Sequence, residues 1–145
     1  MVDAFGEFVF LNKLVGGDDK WPETMEELVQ GWIAYWTDKF ASGKNDEEFF
    51  WACQCAYDLC AENANLGIEL VLAVLEKKPG AEILPVFAAG PLEEVLAYHG
   101  AAVIDRVEAD TRRSPQFQHL LGGVCQNKMP DDIWLRVLKA APERW

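Results

Sequence analysis

Helix-capping patterns at nearly even spacing constrain the fold of this chain more than any other sequence feature. Thr24 precedes Met-Glu-Glu and forms a capping-box pattern with Glu27, in which two side chains satisfy free N–H groups at a helix start. Asn45 precedes Asp-Glu-Glu, with Glu48 three residues on, and Asn65 is a third cap residue. The three caps lie 21 and 20 residues apart. Each interval fits one helix and a short connection, so the pattern predicts antiparallel helices.

Apolar side chains recur at helical spacing behind these caps. In the first predicted helix they are Met25, Val29, Trp32, Trp36 and Phe40. In the second they are Phe49, Phe50, Cys53, Ala56, Tyr57 and Cys60. The third segment, 66–78, is apolar nearly all round and is followed by Pro-Gly, which predicts a central, buried helix.

Glycine and proline divide the second half of the chain into shorter predicted helices. Gly90 with Pro91, and Gly100 further on, are each expected to end one helix and let the next begin. Ser114 with Pro115 predicts the start of a short helix, and the last helix is predicted over 130–141.

The predicted fold class is all-α, with one domain over residues 1–145. We expect a bundle of about seven or eight antiparallel helices, with a short α-solenoid-like array as the alternative. Residues 1–20 are interpreted as an N-terminal extension docked on the bundle. Residues 1–16 are rich in apolar side chains without a clean period, which favours a helix and leaves a short edge strand as the alternative.

The charge of the chain argues against several classes of partner. It has 13 Lys and Arg against 24 Asp and Glu, a formal net charge of −11. Binding to nucleic acid or to an anionic membrane needs clustered positive charge, so neither is expected. The longest apolar stretch, Leu70–Leu75, is far shorter than the ~20 residues that cross a bilayer. Acids stand where a signal peptide has a positive region, and we therefore expect a cytoplasmic protein.

The cysteines favour reduced thiols. Cys53, Cys55 and Cys60 fall within one predicted helix, and Cys125 lies far along the chain. On a helix Cys53 and Cys55 point about 200° apart, and Cys53 and Cys60 lie about two turns apart, so neither pair can form a disulfide. Small buried thiols are the simpler interpretation, and the sequence predicts no metal and no cofactor.

The chain lacks the common patterns of catalytic residues. Helical geometry turns Asp105 away from His99 and separates Glu93 from it by about 120°, so we interpret His99 as structural. The two serines of the chain lie outside the G-x-S-x-G and S-x-x-K motifs of serine nucleophiles. The sequence predicts that this protein is not an enzyme. The alternative is a small enzyme or ligand-binding domain with a pocket near His99.

Excess acidic charge is confined to the first half of the chain. Residues 1–76 hold 15 acids and 4 bases, whereas residues 77–145 hold 9 of each. One acidic cluster surrounds a tryptophan before and within the first predicted helix, and we predict it to be a partner-binding surface. Its residues are Asp18, Asp19, Trp21, Glu23, Glu26 and Glu27. A second cluster, Asp46 to Glu48, is expected at the opposite end of the bundle.

The middle and end of the chain resemble an uncharacterised bacterial family, a domain of unknown function. The resemblance is carried by the runs Phe87-Ala-Ala-Gly-Pro-Leu-Glu-Glu-Val-Leu-Ala-Tyr-His-Gly100, Val103-Ile-Asp-Arg-Val-Glu108 and Gly123-Val-Cys-Gln-Asn-Lys-Met-Pro-Asp-Asp-Ile-Trp134. It covers residues 86–138. The resemblance implies an all-helical fold and no particular activity.

Small size, acidity and the absence of catalytic motifs together favour a binding protein. We predict a non-catalytic module of the immunity or inhibitor type, which neutralises a basic protein partner such as a bacterial toxin. A structural helical adaptor, whose surface charge has no specific partner, is a further alternative.

Overall fold

The computed structural model describes residues 22–43 and 48–145. These residues form helices, turns and loops, and none of them lies in a β-strand. The helices are α1 (Met25–Ser42), α2 (Phe50–Glu62), α3 (Ala64–Glu76), α5 (Pro115–Leu121) and α6 (Asp131–Ala140). Between α3 and α5 runs α4, a continuous helical segment made of Leu84–Phe87, a π-turn at Ala88–Leu92, and Glu93–Arg113. The all-α prediction is confirmed for the described residues.

The described residues form six helical runs, where about seven or eight were predicted for the whole chain. Two expected stops lie inside α4, and both the helix favoured for residues 1–16 and the docked extension over residues 1–20 lie outside the described residues. At Pro91 the helix widens into a π-turn instead of ending, since a π-turn accommodates a residue that cannot donate to the regular ladder. At His99 the backbone kinks (φ −133°, ψ 22°) and the helix continues. Gly100 serves packing: a Cβ there would lie 3.0 Å from Ile133 Cγ2 of α6.

The helix caps agree with the sequence patterns at two of the three predicted positions that are described. Thr24 Oγ1 accepts a hydrogen bond from the Glu27 N–H (3.2 Å), and Ser114 Oγ accepts one from the N–H of Phe117 (3.1 Å). At α3 the prediction was two residues late, because Asn63 and not Asn65 caps the helix. Asn45 lies outside the described residues, and the helix predicted to follow it begins only at Phe50.

Helix α3 is the centre of the bundle, as predicted. It contacts α1, α2, α5 and two parts of α4, the π-turn and Glu93–Arg113. Gly67 allows the closest approach: a Cβ there would lie 2.5 Å from Val95 Cγ2 on α4 and 3.4 Å from the backbone of Cys60 on α2. Three helices therefore meet where α3 has no side chain.

The buried faces of α1 and α2 differ from the predicted aromatic stripes. Phe40 is 48% exposed at the end of α1, and in α2 Phe50 and Tyr57 are 47% and 46% exposed. The residues of α2 that face the core are mostly small: Ala52, Cys55, Ala56, Leu59 and Cys60. Small side chains let α2 pack closely against α1 and α3, and this leaves the larger rings at the rim.

Arginine and lysine side chains join the helices at several places. The pairs are Arg136 with Asp105 and Glu108 (2.6 and 2.5 Å), Arg106 with Glu69 (2.8 Å), and Lys77 with Glu26 (2.5 Å). They connect α6 to α4, α4 to α3, and the end of α3 to α1. No helix in the described part of the chain has the length and apolarity needed to cross a membrane.

Candidate functional site

Half of the predicted partner-binding residues lie in the described structure. Glu23, Glu26 and Glu27 are exposed at the start of α1, whereas Asp18, Asp19 and Trp21 lie outside the described residues. Of the second predicted cluster, only Glu48 is described, and it is exposed.

Two of the three described residues have contacts that stabilise the fold. Glu26 pairs with Lys77, and this hydrogen bond lowers the pKa of the Glu26 carboxyl. The Glu27 carboxylate accepts the N–H of Glu23 at 3.2 Å, the residue before the N-cap Thr24 and not Thr24 itself as in a capping box, and it thereby holds the segment that leads into α1. The side chain of Glu23 is exposed.

A second acidic site, which sequence reasoning did not identify, lies where α2 packs against α4. We call it the acid–tyrosine surface, and it consists of Tyr57, Asp58, Glu62, Glu94 and Tyr98. The hydroxyls of Tyr57 and Tyr98 form a hydrogen bond of 2.8 Å. Their rings stand at 88° to each other with centroids 6.4 Å apart, and each residue is nearly half exposed.

The carboxyl groups of this surface repel one another. Burial raises the pKa of Glu94 to about 7, and the nearby charges of Glu93 and Asp58 add to the shift. Burial also raises the pKa of Asp58, with a contribution from Glu62. The hydrogen bond to Tyr98 raises the pKa of the Tyr57 hydroxyl.

These carboxylates lack counter-charges among the described residues. Asp58, Glu62 and Glu94 form no ion pair with the Lys, Arg or His residues of 22–43 and 48–145. Nor do three or more metal-binding side chains converge anywhere in that part of the chain. The arrangement is a negatively charged, aromatic patch suited to a cationic group brought by another molecule.

His99 lies beside this surface and joins the helices that carry it. Its Nε2 is 2.9 Å from the carbonyl oxygen of Ala61 in the last turn of α2. Of the two acids considered from the sequence as partners of His99, Glu93 and Asp105, Asp105 instead accepts a hydrogen bond from Arg136 at 2.6 Å. These contacts favour the structural interpretation of His99.

The four cysteines differ sharply in accessibility. Cys55 and Cys60 are buried, Cys53 is half-buried and Cys125 is exposed. Burial raises the pKa of Cys53 and Cys55 to about 12 and that of Cys60 well above its usual range. The three thiols of α2 are therefore protonated and shielded at neutral pH.

We expect one of the four thiols to react rapidly with a disulfide reagent in the native protein. Thiolate is the reacting species, so Cys125 should be modified first and the other three only as the chain unfolds. Absorbance during titration with and without denaturant measures this. A Cys125→Ser variant should lose the rapid phase, and rapid modification of two or more thiols would contradict the burial of α2.

Comparisons with known proteins identify the family. No curated protein and no solved structure matches the chain. A family model described as a family of unknown function, DUF6869, matches residues 39–144. The match includes all of the resemblance at 86–138 and extends it through α2 and α3. Since it spans well over half of the sequence, this chain belongs to the DUF6869 family.

Proposed function

We propose that this protein is a non-catalytic, acidic protein-binding module of the immunity or inhibitor type. Its partner is a basic protein, such as a bacterial toxin, which it neutralises by covering the partner's functional surface. The observation that supports the proposal best is the acid–tyrosine surface, where carboxylates crowd together without counter-charges from the described residues.

Elsewhere in the described residues, acidic side chains form ion pairs that join the helices of the fold. Glu108 pairs with Arg136, Glu69 with Arg106, and Glu26 with Lys77. At the acid–tyrosine surface, repulsion and partial burial instead oppose ionisation of Glu94. Such unfavourable charge is relieved when a positively charged partner binds.

The two tyrosines supply the exposed aromatic area that is typical of a binding surface. Tyrosine is enriched among the residues that contribute most to binding, because it offers a large apolar area and a hydroxyl with few rotatable bonds. Carboxylates around such anchors accelerate association with a basic partner. The combination of exposed rings and negative charge therefore fits recognition of a basic protein.

The surface predicted from the sequence remains part of this proposal. Asp18, Asp19 and Trp21, together with Glu23, Glu26 and Glu27, form a second candidate contact region. Among the described members, Glu23 contributes its backbone N–H to a hydrogen bond with Glu27, and its side chain is exposed. A cytoplasmic location is proposed as well, since the chain carries free thiols.

We expect capture of a basic protein from the native host to depend on the acid–tyrosine surface. Immobilised wild-type protein should enrich it, and the double variant Asp58→Asn with Glu94→Gln should lose most of it. Mass spectrometry identifies the captured protein, and binding kinetics with the purified partner then measure the effect. Raising ionic strength from about 50 mM to about 500 mM should slow association with the wild type, because screening shortens the reach of the charges.

A matched control removes the same charge elsewhere. The double variant Glu76→Gln with Glu82→Gln neutralises two exposed carboxylates away from the acid–tyrosine surface and should bind like the wild type. If both double variants captured the partner equally poorly, the loss would be due to net charge and not to the acid–tyrosine surface. An acidic or neutral partner, or conversion of that partner into a reaction product, would contradict the proposal.

A further inference from the structure

We infer that the cleft between the ends of α4 and α6 binds a small phosphate monoester, whose phosphate group is held by Arg112 and Lys139. The cleft has a volume of about 350 Å³ and is lined by residues of three helices: Glu108, Thr111, Arg112, Gln118, Lys139 and Ala140. Arg112 lies about 18 residues after Glu94 on α4, which is about 27 Å along a helix. The site is therefore separate from the acid–tyrosine surface, and the inference does not depend on the proposed function.

The two cations of the cleft are not used by the fold. Arg112 and Lys139 border the same space, and the side chain of neither forms an ion pair or a hydrogen bond with another described residue. By contrast, Arg106, Arg136 and Arg144 each donate to a described partner. A guanidinium binds phosphate through two parallel hydrogen bonds, and an ammonium binds it as a point charge. The pair therefore fits one phosphate group placed between the two helix ends.

The negative groups that border the cleft already have donors. Arg136 donates to both oxygens of the Glu108 carboxylate, at 2.5 and 3.1 Å. The carbonyl oxygen of Ala140, at the end of α6, accepts a side-chain N–H of Gln118 at 3.0 Å. This hydrogen bond offsets the partial negative charge that a helix C-terminus carries. Because these groups are paired, the two remaining cations give the cleft a net positive charge.

The volume and the other donors of the cleft favour a phosphate monoester over other anions. A phosphate monoester carries close to two negative charges at neutral pH, so it can pair with both cations, whereas a carboxylate carries one charge. Gln118 has a second amide N–H that its bond to Ala140 leaves available for a phosphate oxygen. A cleft of about 350 Å³ lies within the range typical of small-molecule sites. It therefore has room for an organic group beside the phosphate.

The test titrates the full-length chain with phenyl phosphate, glycerol phosphate and inorganic phosphate by calorimetry at constant ionic strength, with chloride as the reference anion. The double variant Arg112→Gln with Lys139→Gln should weaken binding of the two monoesters about ten-fold or more, because two charged contacts are lost. Arg112→Lys keeps the charge without the paired hydrogen bonds and should weaken binding about three-fold. The matched control Lys78→Gln with Lys128→Gln removes two exposed cations outside the cleft and should bind like the wild type.

The inference is supported if both monoesters bind more tightly than inorganic phosphate and only the variants of the cleft weaken their binding. It is overturned if the monoesters bind no more tightly than chloride, or if both double variants lose binding equally. Equal binding of inorganic phosphate and the monoesters would also overturn it, because the organic group would then contribute nothing. Capture of a basic partner tests the proposed function separately, since Asp58 and Glu94 are unchanged in these variants.

Discussion

Replacing Phe87 by alanine is expected to lower the free energy of unfolding by about 3–5 kcal/mol. Phe87 is fully buried at the start of α4 and packs against Trp32 of α1 with ring centroids 5.4 Å apart. The substitution removes a large apolar side chain and leaves a cavity between two helices. Because domains of this size are commonly stable by only about 5–15 kcal/mol, the loss is a large share of the total.

Urea unfolding followed by circular dichroism measures this effect. Phe40→Ala is the matched control, since Phe40 is the same residue type but 48% exposed; its effect should stay below about 1 kcal/mol. If both substitutions cost the same, Phe87 does not belong to the core and the packing of α1 on α4 is wrong.

Replacing Glu94 by glutamine is expected to stabilise the protein at pH 8 by about 1–2 kcal/mol. The full value of a carboxyl pKa shift to about 7 would be larger, but water screens this partly exposed side chain. In the folded chain the Glu94 pKa lies above its unfolded value. The protonated group therefore contributes stability that is present below about pH 4.5 and is lost as pH rises through about 7.

The measurement is the free energy of unfolding between about pH 5 and pH 8 for both proteins. The gain from Glu94→Gln should grow as pH rises, and the variant should show a flatter profile. Glu76→Gln changes an exposed carboxyl on α3 and should follow the wild type. If Glu94→Gln did not raise the free energy of unfolding, or raised it equally at every pH, the negative charge of Glu94 would not destabilise the fold.

These two variants separate residues that build the fold from residues that we propose contact a partner. Phe87→Ala should weaken the fold and leave the acid–tyrosine surface in place in the molecules that remain folded. Glu94→Gln should strengthen the fold and, if the proposed function is right, weaken binding to the basic partner. An opposite effect on stability and binding is expected where charge is retained for recognition.

Sequence patterns located two of the local interactions at the helix starts and misplaced the cap of α3 by two residues. The capping at Thr24 and Ser114 depends on groups three residues apart, and the central position of α3 follows from apolar residues all around it. The breaks expected at Pro91 and Gly100 were wrong. Packing against other helices favoured a π-turn and a kink inside α4 over two helix ends.

The faces of α1 and α2 show a related difference. Periodicity indicated a helix in each case, but ring size alone did not determine which residues point inward. The core side of α2 is set by how closely it approaches α1 and α3, and that distance favours Ala52, Cys55 and Ala56 over the aromatic rings. Sequence spacing gives the period of a helix, while its neighbours decide its rotation.

Local patterns in the sequence account for the helical class, for the helix starts at Thr24 and Ser114 and for the excess of acidic charge in the first half. Which acids form ion pairs and which lie at the acid–tyrosine surface depends on how the helices pack. Tyr57 and Tyr98 are 41 residues apart, and no local pattern relates them. Packing of α2 on α4 brings them within hydrogen-bonding distance, because electrostatic and aromatic contacts depend on separation in space and not along the chain.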